Sequence, residues 1–356
     1  MRGPVPKPTY FRILSIDGGG IRGIIPGQIL MVLENKLRDK TRNPESRLVD
    51  YFDLIAGSGT GGIMACAYLS PIKPQMRTPR FSAAQVVDIY LKFGARVFED
   101  TLDHRILTMG GLLDEKYTSG GLERVLRDYF DDLQLSHLLK PSLITAYDIT
   151  KRQAHFFTQH TADKPASDFY VRDVARATSA SPSYFECERV QSRSGVSYPL
   201  IDGGVFANNP AMCAYVEARK VPGDQLARQK TLAPADIVLF SLGTGLPKVH
   251  FDYDDAKDWG LTRWTRPLLD MVASAGAETV DYQLKQLFEA AGVPKQYLRL
   301  NPELTIDVKA EMDNVGAENL RALKELGEYV AEEQEDKLDA LVEQLVAEQA
   351  QNTPVQ

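Results

Sequence analysis

The segment LIAGSGTGG, residues 54–62, decides how this chain is expected to fold around its candidate site. Its apolar start predicts a buried β-strand that runs through a tight glycine turn into a helix beginning at Thr60. This strand–turn–helix order is the frame of a nucleophile elbow, G-x-S-x-G, in which a serine is held at the tip of a strained turn. Gly57 and Gly61 are the framing glycines, and Gly59 stands at the tip where the serine is expected.

Glycine at position 59 is expected to disturb the fold little. A non-glycine residue at such a tip is strained by ~1–3 kcal/mol, whereas glycine adopts the geometry freely. Glycine is therefore the replacement that disturbs the fold least. Ser58 is adjacent, but neighbouring side chains of an extended chain point to opposite sides, so we expect Ser58 to face away from the site. The frame of the elbow comprises Gly57, Ser58, Thr60, Gly61 and Gly62.

A second glycine motif, DGGGIRG, follows the β-rich run FRILSI. Gly18, Gly19 and Gly20 let backbone N–H groups converge at a helix N-terminus, and Arg22 adds a positive charge. Such a nest binds an anion, either a phosphate or the oxyanion of an ester intermediate. Together with Gly23 the motif also satisfies G-x-G-x-x-G, the dinucleotide fingerprint. That fingerprint requires a second strand ending in an acidic residue about twenty residues later. The chain there reads LRDKTRNPES, which predicts a polar loop.

A third motif, LIDGG, places Asp202 at the end of a predicted strand. Asp-Gly after a strand is an ordinary turn signal, and that interpretation would suffice if the motif stood alone. The motif gains weight because no histidine lies in a glycine-flanked turn after a strand. A serine–aspartate dyad needs only one carboxylate to accept the hydroxyl proton, so Asp202 is the candidate general base. We expect packing or surface roles for the histidines, which are His104, His137, His155, His160 and His250.

The composition excludes several classes of protein. The chain has 356 residues and a net charge of −7, which argues against a nucleic-acid partner because such a partner requires a basic face. Its apolar runs are about half the ~20 residues of a membrane span, and its N-terminus lacks the apolar core of a signal peptide. We expect a cytoplasmic protein that touches membranes peripherally, through the basic, proline-rich residues 70–80. Reduced, buried thiols without metal-ligand spacing are expected at Cys66, Cys187 and Cys213.

The order of the predicted elements indicates the fold class. Two strand–turn–helix units in succession predict an α/β fold with a mostly parallel central sheet and helices on both faces. Further strands are predicted in PSLITAYDIT, QAHFFTQH, SYPLIDGG and DIVLFSLGTG, of which the first two are expected to pair or lie as neighbours. Further helices are predicted in FSAAQVVDIYLKFGARVF, LERVLRDYF and VRDVARATSASPSYF, the last ending at Pro182.

The C-terminal region differs in composition from the rest. Residues 317–348 are rich in Ala, Glu, Leu and Lys, with apolar residues on helical stripes. This pattern predicts one or two amphipathic helices packed on the domain, and the same stripes could serve a homo-oligomer. The expected organisation is an arm at residues 1–10, one domain at 11–310, C-terminal helices at 311–349 and a tail at 350–356.

The three motifs, in this order, resemble the patatin-like phospholipase family, whose pattern is a DGGGxRG loop, a GxSxG elbow and a D-G-G/A motif. The resemblance is close over residues 11–210 and looser beyond. The segments that support it are ILSIDGGGIRGIIP, ARATSASPSYF, DGGVFANNP and, in the looser part, LFSLGTG. It implies the three-layer patatin-like fold. The family's elbow usually reads GTSTGG, so this chain departs from the pattern at the catalytic position. The resemblance implies an oxyanion site at Gly18, Gly19, Gly20 and Arg22, a general base at Asp202 and a nucleophile position at Gly59.

The resemblance also implies a lipid acyl hydrolase of the phospholipase A or lysophospholipase type. It would act on phospholipid or lysophospholipid at a membrane surface, without a metal or organic cofactor. With a serine at position 59, Asp202 would take the hydroxyl proton, the serine would attack the ester carbonyl, and water would release the fatty acid. Loss of the serine alone costs on the order of 10⁶ in kcat in subtilisin. This chain is therefore expected to be inactive with an intact lipid pocket.

The residues alone leave open two origins of Gly59 and two alternative functions of the chain. Engineering and a natural loss both give this sequence, and the intact Asp202 and glycine loop favour engineering or an isolated loss. A lipid-binding or signalling protein on the same fold would bind lipid and stay inactive after Gly59→Ser. A nucleotide-binding oxidoreductase would use Gly18, Gly20 and Gly23, and it predicts nicotinamide or flavin binding.

Overall fold

A computed structural model describes residues 10–98, 116–221, 232–247 and 251–347. Residues 1–9 of the predicted arm and the predicted tail at 350–356 lie outside the described residues. The described strands form one sheet in which each strand pairs with the next along the path β5-β6-β3-β2-β1-β7-β8, and β4 also pairs with β3. The strands are β1 Phe11–Ile16, β2 Leu54–Gly57, β3 Ser142–Asp148, β4 Gln153–Phe157, β5 Glu188–Gln191, β6 Ser197–Asp202, β7 Ile237–Leu242 and β8 Tyr297–Leu300.

Helices cover both faces of this sheet, as the sequence predicts. The strands β1, β2, β3, β7 and β8 are parallel to their neighbours in this set, whereas β4, β5 and β6 pair antiparallel. The α-helices are α1 Ile24–Thr41, α2 Thr60–Leu69, α3 Ala83–Val97, α4 Gly120–Phe130, α5 Val171–Thr178, α6 Gly204–Ala207, α7 Ala211–Glu217, α8 Tyr253–Ala256, α9 Leu261–Ala290, α10 Ala317–Glu333 and α11 Glu335–Val346.

Alternation along the buried strands explains the three layers. In β1, Leu14 and Ile16 belong to the apolar cluster that includes α1 to α5, whereas Ile13 belongs to the cluster formed with α7 and α9. In β7, Phe240 and Leu239 divide in the same way. Because successive side chains of a strand point to opposite faces, a strand that is apolar throughout needs cover on both sides.

The candidate site lies where β2 and β6 end against the same edge of β3. The strand β4 occupies one edge of β3, while β2 and then β6 occupy the other. Running parallel to β3, β2 ends with Gly57 opposite Ile144. Running antiparallel, β6 ends with Asp202 opposite Ala146. The two strand ends therefore face each other, which brings the elbow and Asp202 together.

The C-terminal helices pack on α1 in the structure. Lys36 of α1 pairs with Glu335 at 2.8 Å and with Asp339 at 2.7 Å, and Gly327 allows α10 to approach the backbone of Ile25 closely. Their apolar stripes are buried, and oligomerisation through these helices stays a prediction. The buried stripe residues are Leu323, Leu326, Val330, Leu338, Leu341, Val342 and Leu345.

Some local predictions were wrong. Helix α5 ends at Thr178 rather than at Pro182, and the Ser179 hydroxyl donates to the carbonyl of Ala175, which competes with the helical ladder. All three cysteines are free, as expected, but only Cys66 is buried, whereas Cys213 is half-buried and Cys187 is exposed. The polar stretch after the first glycine loop begins inside α1 and supplies no strand for a dinucleotide site. Strands β5 and β8 and the long helix α9 were not predicted.

Candidate active site

The elbow turn depends on glycine at its framing positions because three backbones meet there. A Cβ atom on Gly57 would lie 2.2 Å from the carbonyl oxygen of Gly61, and one on Gly61 would lie 2.1 Å from that of Ile16. At the tip, Gly59 has φ 51° and ψ −122°, a conformation that strains any side chain. Its N–H donates to the Oγ1 atom of the buried Thr178 at 3.0 Å, which holds the tip in place.

The side-chain position at Gly59 faces Asp202. A Cβ atom built on Gly59 would lie 3.3 Å from Oδ2 and 3.5 Å from Oδ1 of Asp202, and 3.5 Å from the Cα atom of Gly18. Only the 3.3 Å contact is closer than an ordinary van der Waals contact, and none of them overlaps the backbone. A serine hydroxyl at this position would therefore lie within hydrogen-bonding reach of the carboxylate.

Asp202 has an environment that suits a general base. Its Oδ1 atom accepts the N–H of Gly204 at 2.8 Å. Burial raises the pKa of this carboxyl from an ordinary value of 3.8 to about 7, and the hydrogen bond from Gly204 offsets only part of that rise. The carboxyl therefore titrates close to neutral pH, where a catalytic base is most effective.

The glycine loop has two N–H groups without an acceptor among the described residues. The N–H of Gly18 donates to the carbonyl of Asn208 at 3.1 Å, so the structure uses this expected donor internally. The carbonyl of Gly18 is held in turn by Thr244 Oγ1 at 2.7 Å and by Asn208 Nδ2 at 3.3 Å. In the described part of the chain, no acceptor bonds the N–H groups of Gly19 and Gly20, and both residues line the cavity.

Arg22 lies beneath this loop as a buried cation. Only 9 % of the residue is exposed, and its Nε atom donates weakly to the carbonyl of Gly19 at 3.4 Å. Its Nη1 atom has no hydrogen-bond partner among the described residues. Burial lowers the pKa of its guanidinium, an effect that the nearby Asp270 partly offsets. The loop therefore has positive charge behind its N–H groups, which suits an anion.

An ion pair that sequence reasoning missed anchors the start of the loop. Asp17 and Arg299 are both buried, and Nη2 of Arg299 lies 2.6 Å from Oδ2 of Asp17. The other terminal nitrogen donates to Oδ1 of Asp17 at 3.3 Å and to Oγ of Ser241 at 2.7 Å. Burial dominates and raises the pKa of Asp17, although Arg299 lowers it. The pair ties the end of β1 to β7 and β8.

A cavity of about 920 Å³ opens from the glycine loop and Asp202. Its volume lies within the range of sites that hold a drug-sized ligand. Gly59 and Thr60 line it, whereas Ser58 does not, and the Ser58 side chain is fully buried. Its wall between α3 and α4 is almost entirely apolar and includes Ile89, Tyr90, Val97, Phe98, Leu122, Val125, Leu126, Tyr129 and Phe130, and Ile63 of α2 also lines the cavity.

None of the histidines in the described part of the chain lines this cavity. His155 packs among aromatic rings, and burial lowers its pKa to about 4. His160 bonds Glu217 at 3.0 Å. His104 and His250 lie outside the described residues. Among those that are described, no group of three His, Cys, Asp or Glu side chains could hold a metal ion, and no helix is long and apolar enough to cross a membrane.

Comparison with known proteins places the chain in a family. The family model described as patatin-like phospholipase matches residues 14–215. Patatin-like protein 2 of Arabidopsis thaliana is 33 % identical over 92 % of this chain and 85 % of its own length. Patatin group J-1 of Solanum tuberosum is 30 % identical over 89 % of this chain and 82 % of its own length. Probable inactive patatin-3-Kuras 1, also from Solanum tuberosum, is 29 % identical over 89 % and 85 %, respectively. With this coverage and these motifs, the chain belongs to the patatin-like phospholipase family.

Proposed function

We propose that this chain is a lipid acyl hydrolase of the phospholipase A or lysophospholipase type in which glycine replaces the nucleophilic serine. It would bind a phospholipid or lysophospholipid and leave the ester intact. The observation that carries the proposal is the direction of the position-59 side chain, whose Cβ atom would lie 3.3 Å from the carboxylate of Asp202. On this proposal Asp202 would be the general base and the glycine loop would supply the oxyanion donors, so the nucleophile alone would be missing.

Restoring the serine would allow acyl transfer. The hydroxyl of a serine at position 59 would give its proton to Asp202 while its oxygen bonds to the ester carbonyl carbon. The N–H groups of Gly19 and Gly20 would stabilise the oxyanion of the tetrahedral intermediate. Protonated Asp202 would return the proton to the departing alcohol as the ester C–O bond breaks. Water, deprotonated by Asp202, would then release the fatty acid and regenerate the serine.

Gly59 removes the atom that forms the acyl-enzyme. In subtilisin the loss of the serine alone lowers kcat on the order of 10⁶-fold, so we expect residual hydrolysis by this chain to be close to background. One of the relatives carries the name Probable inactive patatin-3-Kuras 1. Loss of activity is thus already considered for one member of the family.

The apolar wall between α3 and α4 supports a long acyl chain as the bound group. Along this wall Ile89, Val125 and Leu126 line the cavity, and burying a methylene group contributes about 0.8 kcal/mol. The cation of Arg22, beside the glycine loop, also lines the cavity. A ligand with an acyl chain at one end and an ester and phosphate at the other matches this polarity.

A second function on the same fold is a lipid-binding or signalling protein without catalysis. The observation that favours it is Gly59 itself, because a binding protein needs the cavity and not the nucleophile. The two functions differ in what Gly59→Ser does. The hydrolase proposal expects a reactive serine, whereas the binding protein would remain unreactive and would still bind lipid.

Labelling with an alkyl fluorophosphonate, followed by intact-protein mass measurement, tests the proposal. We expect no adduct on the parent or on Gly59→Ala, one adduct on Gly59→Ser, and much slower labelling of the Gly59→Ser/Asp202→Asn double variant. The parent should bind lysophosphatidylcholine in calorimetry. A folded Gly59→Ser variant that stays unlabelled would refute the dyad, and retained binding of lysophosphatidylcholine would then favour the binding protein.

A further inference from the structure

An apolar surface lies beside the cavity and has no role in the proposed reaction. It is formed around α8 and the start of α9, and four of its side chains are exposed by 38 %, 79 %, 51 % and 48 %, namely Phe251, Tyr253, Leu268 and Val272. We call this surface the aromatic rim, and its members are Phe251, Tyr253, Trp259, Trp264, Leu268 and Val272.

The rings of the aromatic rim support one another. Trp259 packs edge-on against Phe251 with ring centroids 5.2 Å apart, and edge-on against Trp264, also at 5.2 Å. Such pairs contribute beyond their buried area. Three rings of the rim therefore form one row of edge-on contacts, in which Trp259 lies between Phe251 and Trp264.

The two halves of helix α9 differ in what covers their apolar side chains. In its second half one face is buried, with Leu284 and Phe288 in the core against the sheet. In its first half Trp264, Leu268 and Val272 follow each other at intervals of four residues, which places them on one face. Within the described residues, no other element covers Leu268 and Val272, which stay about half exposed.

The rim is continuous with the cavity wall. Phe251, Met271 and Val272 line the cavity, and Phe251 and Val272 are also exposed members of the rim. An acyl chain could pass from outside the protein into the cavity along apolar side chains. A lipid surface would be the source of an acyl-chain ligand. A contact surface that is continuous with the cavity would let such a ligand pass from the lipid surface into the cavity.

The charges around the rim select the kind of lipid. Asp252, Asp254 and Asp258 are exposed beside it, as is the cation Arg263, and Lys257 is paired with Asp254 at 2.8 Å. The three carboxylates thus outnumber the two cations of this set. The whole chain carries a net charge of −7. An anionic membrane would be repelled by these carboxylates, whereas tryptophan and tyrosine rings are favoured at the headgroup level of any bilayer.

We propose that the aromatic rim docks the protein on a zwitterionic lipid surface and aligns the cavity with it. The choice of a lipid surface rests on the proposed function, but docking itself needs no catalysis.

The alternative contact at residues 70–80 is less suited to this role. That segment follows the far end of α2, which has 10 residues and therefore lies about 15 Å from the elbow at 1.5 Å per residue. None of its residues lines the cavity. Its exposed apolar side chains, Ile72 and Met76, provide a matched control.

Tryptophan fluorescence reports on the rim directly, because the chain has two tryptophans and both belong to it. We expect phosphatidylcholine vesicles to shift the emission of the unaltered chain to the blue, and brominated acyl chains to quench it. In vesicle sedimentation, the Phe251→Ser/Leu268→Ser variant should show at least about tenfold weaker binding, given the apolar area that it removes. The Ile72→Ser/Met76→Ser variant should bind like the parent.

Salt and protein concentration distinguish the competing outcomes. We expect binding to be unchanged between about 0.05 and about 0.5 M NaCl, because screening affects only charge attraction. Binding that requires anionic lipid, or that is lost in the Ile72→Ser/Met76→Ser variant instead, would overturn the proposal. So would a blue shift that grows with protein concentration without vesicles, since the rim would then join two copies of the chain. If the Gly59→Ser variant proved inactive, these vesicle-binding measurements would be unchanged. Failure of the proposed function can therefore be distinguished from failure of the docking proposal.

Discussion

The empty side-chain position of Gly59 faces the carboxylate of Asp202. A Cβ atom there would lie 3.3 Å from Oδ2 and 3.5 Å from Oδ1. The relationship arises from the sheet, because β2 and β6 end against the same edge of β3, with Gly57 opposite Ile144 and Asp202 opposite Ala146. The placement of the two positions thus depends on strand pairing and is independent of the residue at position 59.

Asp202 is expected to make the fold less stable as the pH rises. The pKa of its carboxyl is about 7 in the folded protein, against an ordinary value of 3.8. Between these values the folded protein holds a proton that the unfolded chain has lost. The free energy of unfolding should therefore fall between about pH 4 and pH 7, by up to about 4 kcal/mol at about 1.4 kcal/mol per pKa unit.

Urea unfolding of the parent and of Asp202→Asn checks this pH dependence. Asparagine keeps an acceptor for the N–H of Gly204 and removes the titration. The variant should be more stable than the parent near pH 8, and the difference should vanish near pH 4. An equal difference at both pH values would show that Asp202 does not titrate as described.

Thr178 is expected to hold the elbow through one hydrogen bond. Its Oγ1 atom accepts the N–H of Gly59 at 3.0 Å, and its side chain is fully buried. Thr178→Val keeps the shape and leaves that N–H without its acceptor, which should lower the free energy of unfolding by about 1–3 kcal/mol. Thr178→Ser keeps the acceptor and should lose less. Chemical denaturation measures both, and a valine variant as stable as the parent would contradict this role.

The buried pair of Asp17 and Arg299 is expected to be strongly coupled. Arg299→Met leaves the Asp17 carboxylate buried without its partner, which typically costs about 3–5 kcal/mol. The Asp17→Asn/Arg299→Met double variant should recover much of this loss, because no charge is then left unpaired. Unfolding free energies of the four proteins form a double-mutant cycle. If the two single losses simply add in the double variant, the pair does not act as a unit.

The local part of this structure could be predicted from the sequence. The strands β1, β2, β3, β4, β6 and β7 have clear β-rich or alternating runs, and the turn at Gly59 has a glycine pattern that fixes the start of α2. These features depend on residues close together in the chain. The position of Asp202 could be proposed from its glycine turn and family resemblance, but its distance from Gly59 follows from pairing across β3.

The rest depends on contacts between distant segments. Arg299 lies on β8, whose four residues give too short a pattern, so its pairing with Asp17 has no sequence signal. The hydrogen bond from the Gly18 N–H to the carbonyl of Asn208 has no sequence signal either. It leaves the N–H groups of Gly19 and Gly20 as the unpaired donors of the loop among the described residues. Helix α9 was missed because Pro267 lies inside it, and a proline within a run normally indicates a helix end. The same exposed half forms part of the aromatic rim.

Fatty-acid release from phosphatidylcholine vesicles tests the central claim most directly. The parent, Gly59→Ala, Gly59→Ser and Gly59→Ser/Asp202→Asn are compared at equal concentration after each is shown to be folded. We expect background release from the parent and the alanine variant, hydrolysis by the serine variant that rises with pH through about pH 7, and its loss in the double variant. A folded serine variant that releases no more fatty acid than the parent would contradict the account.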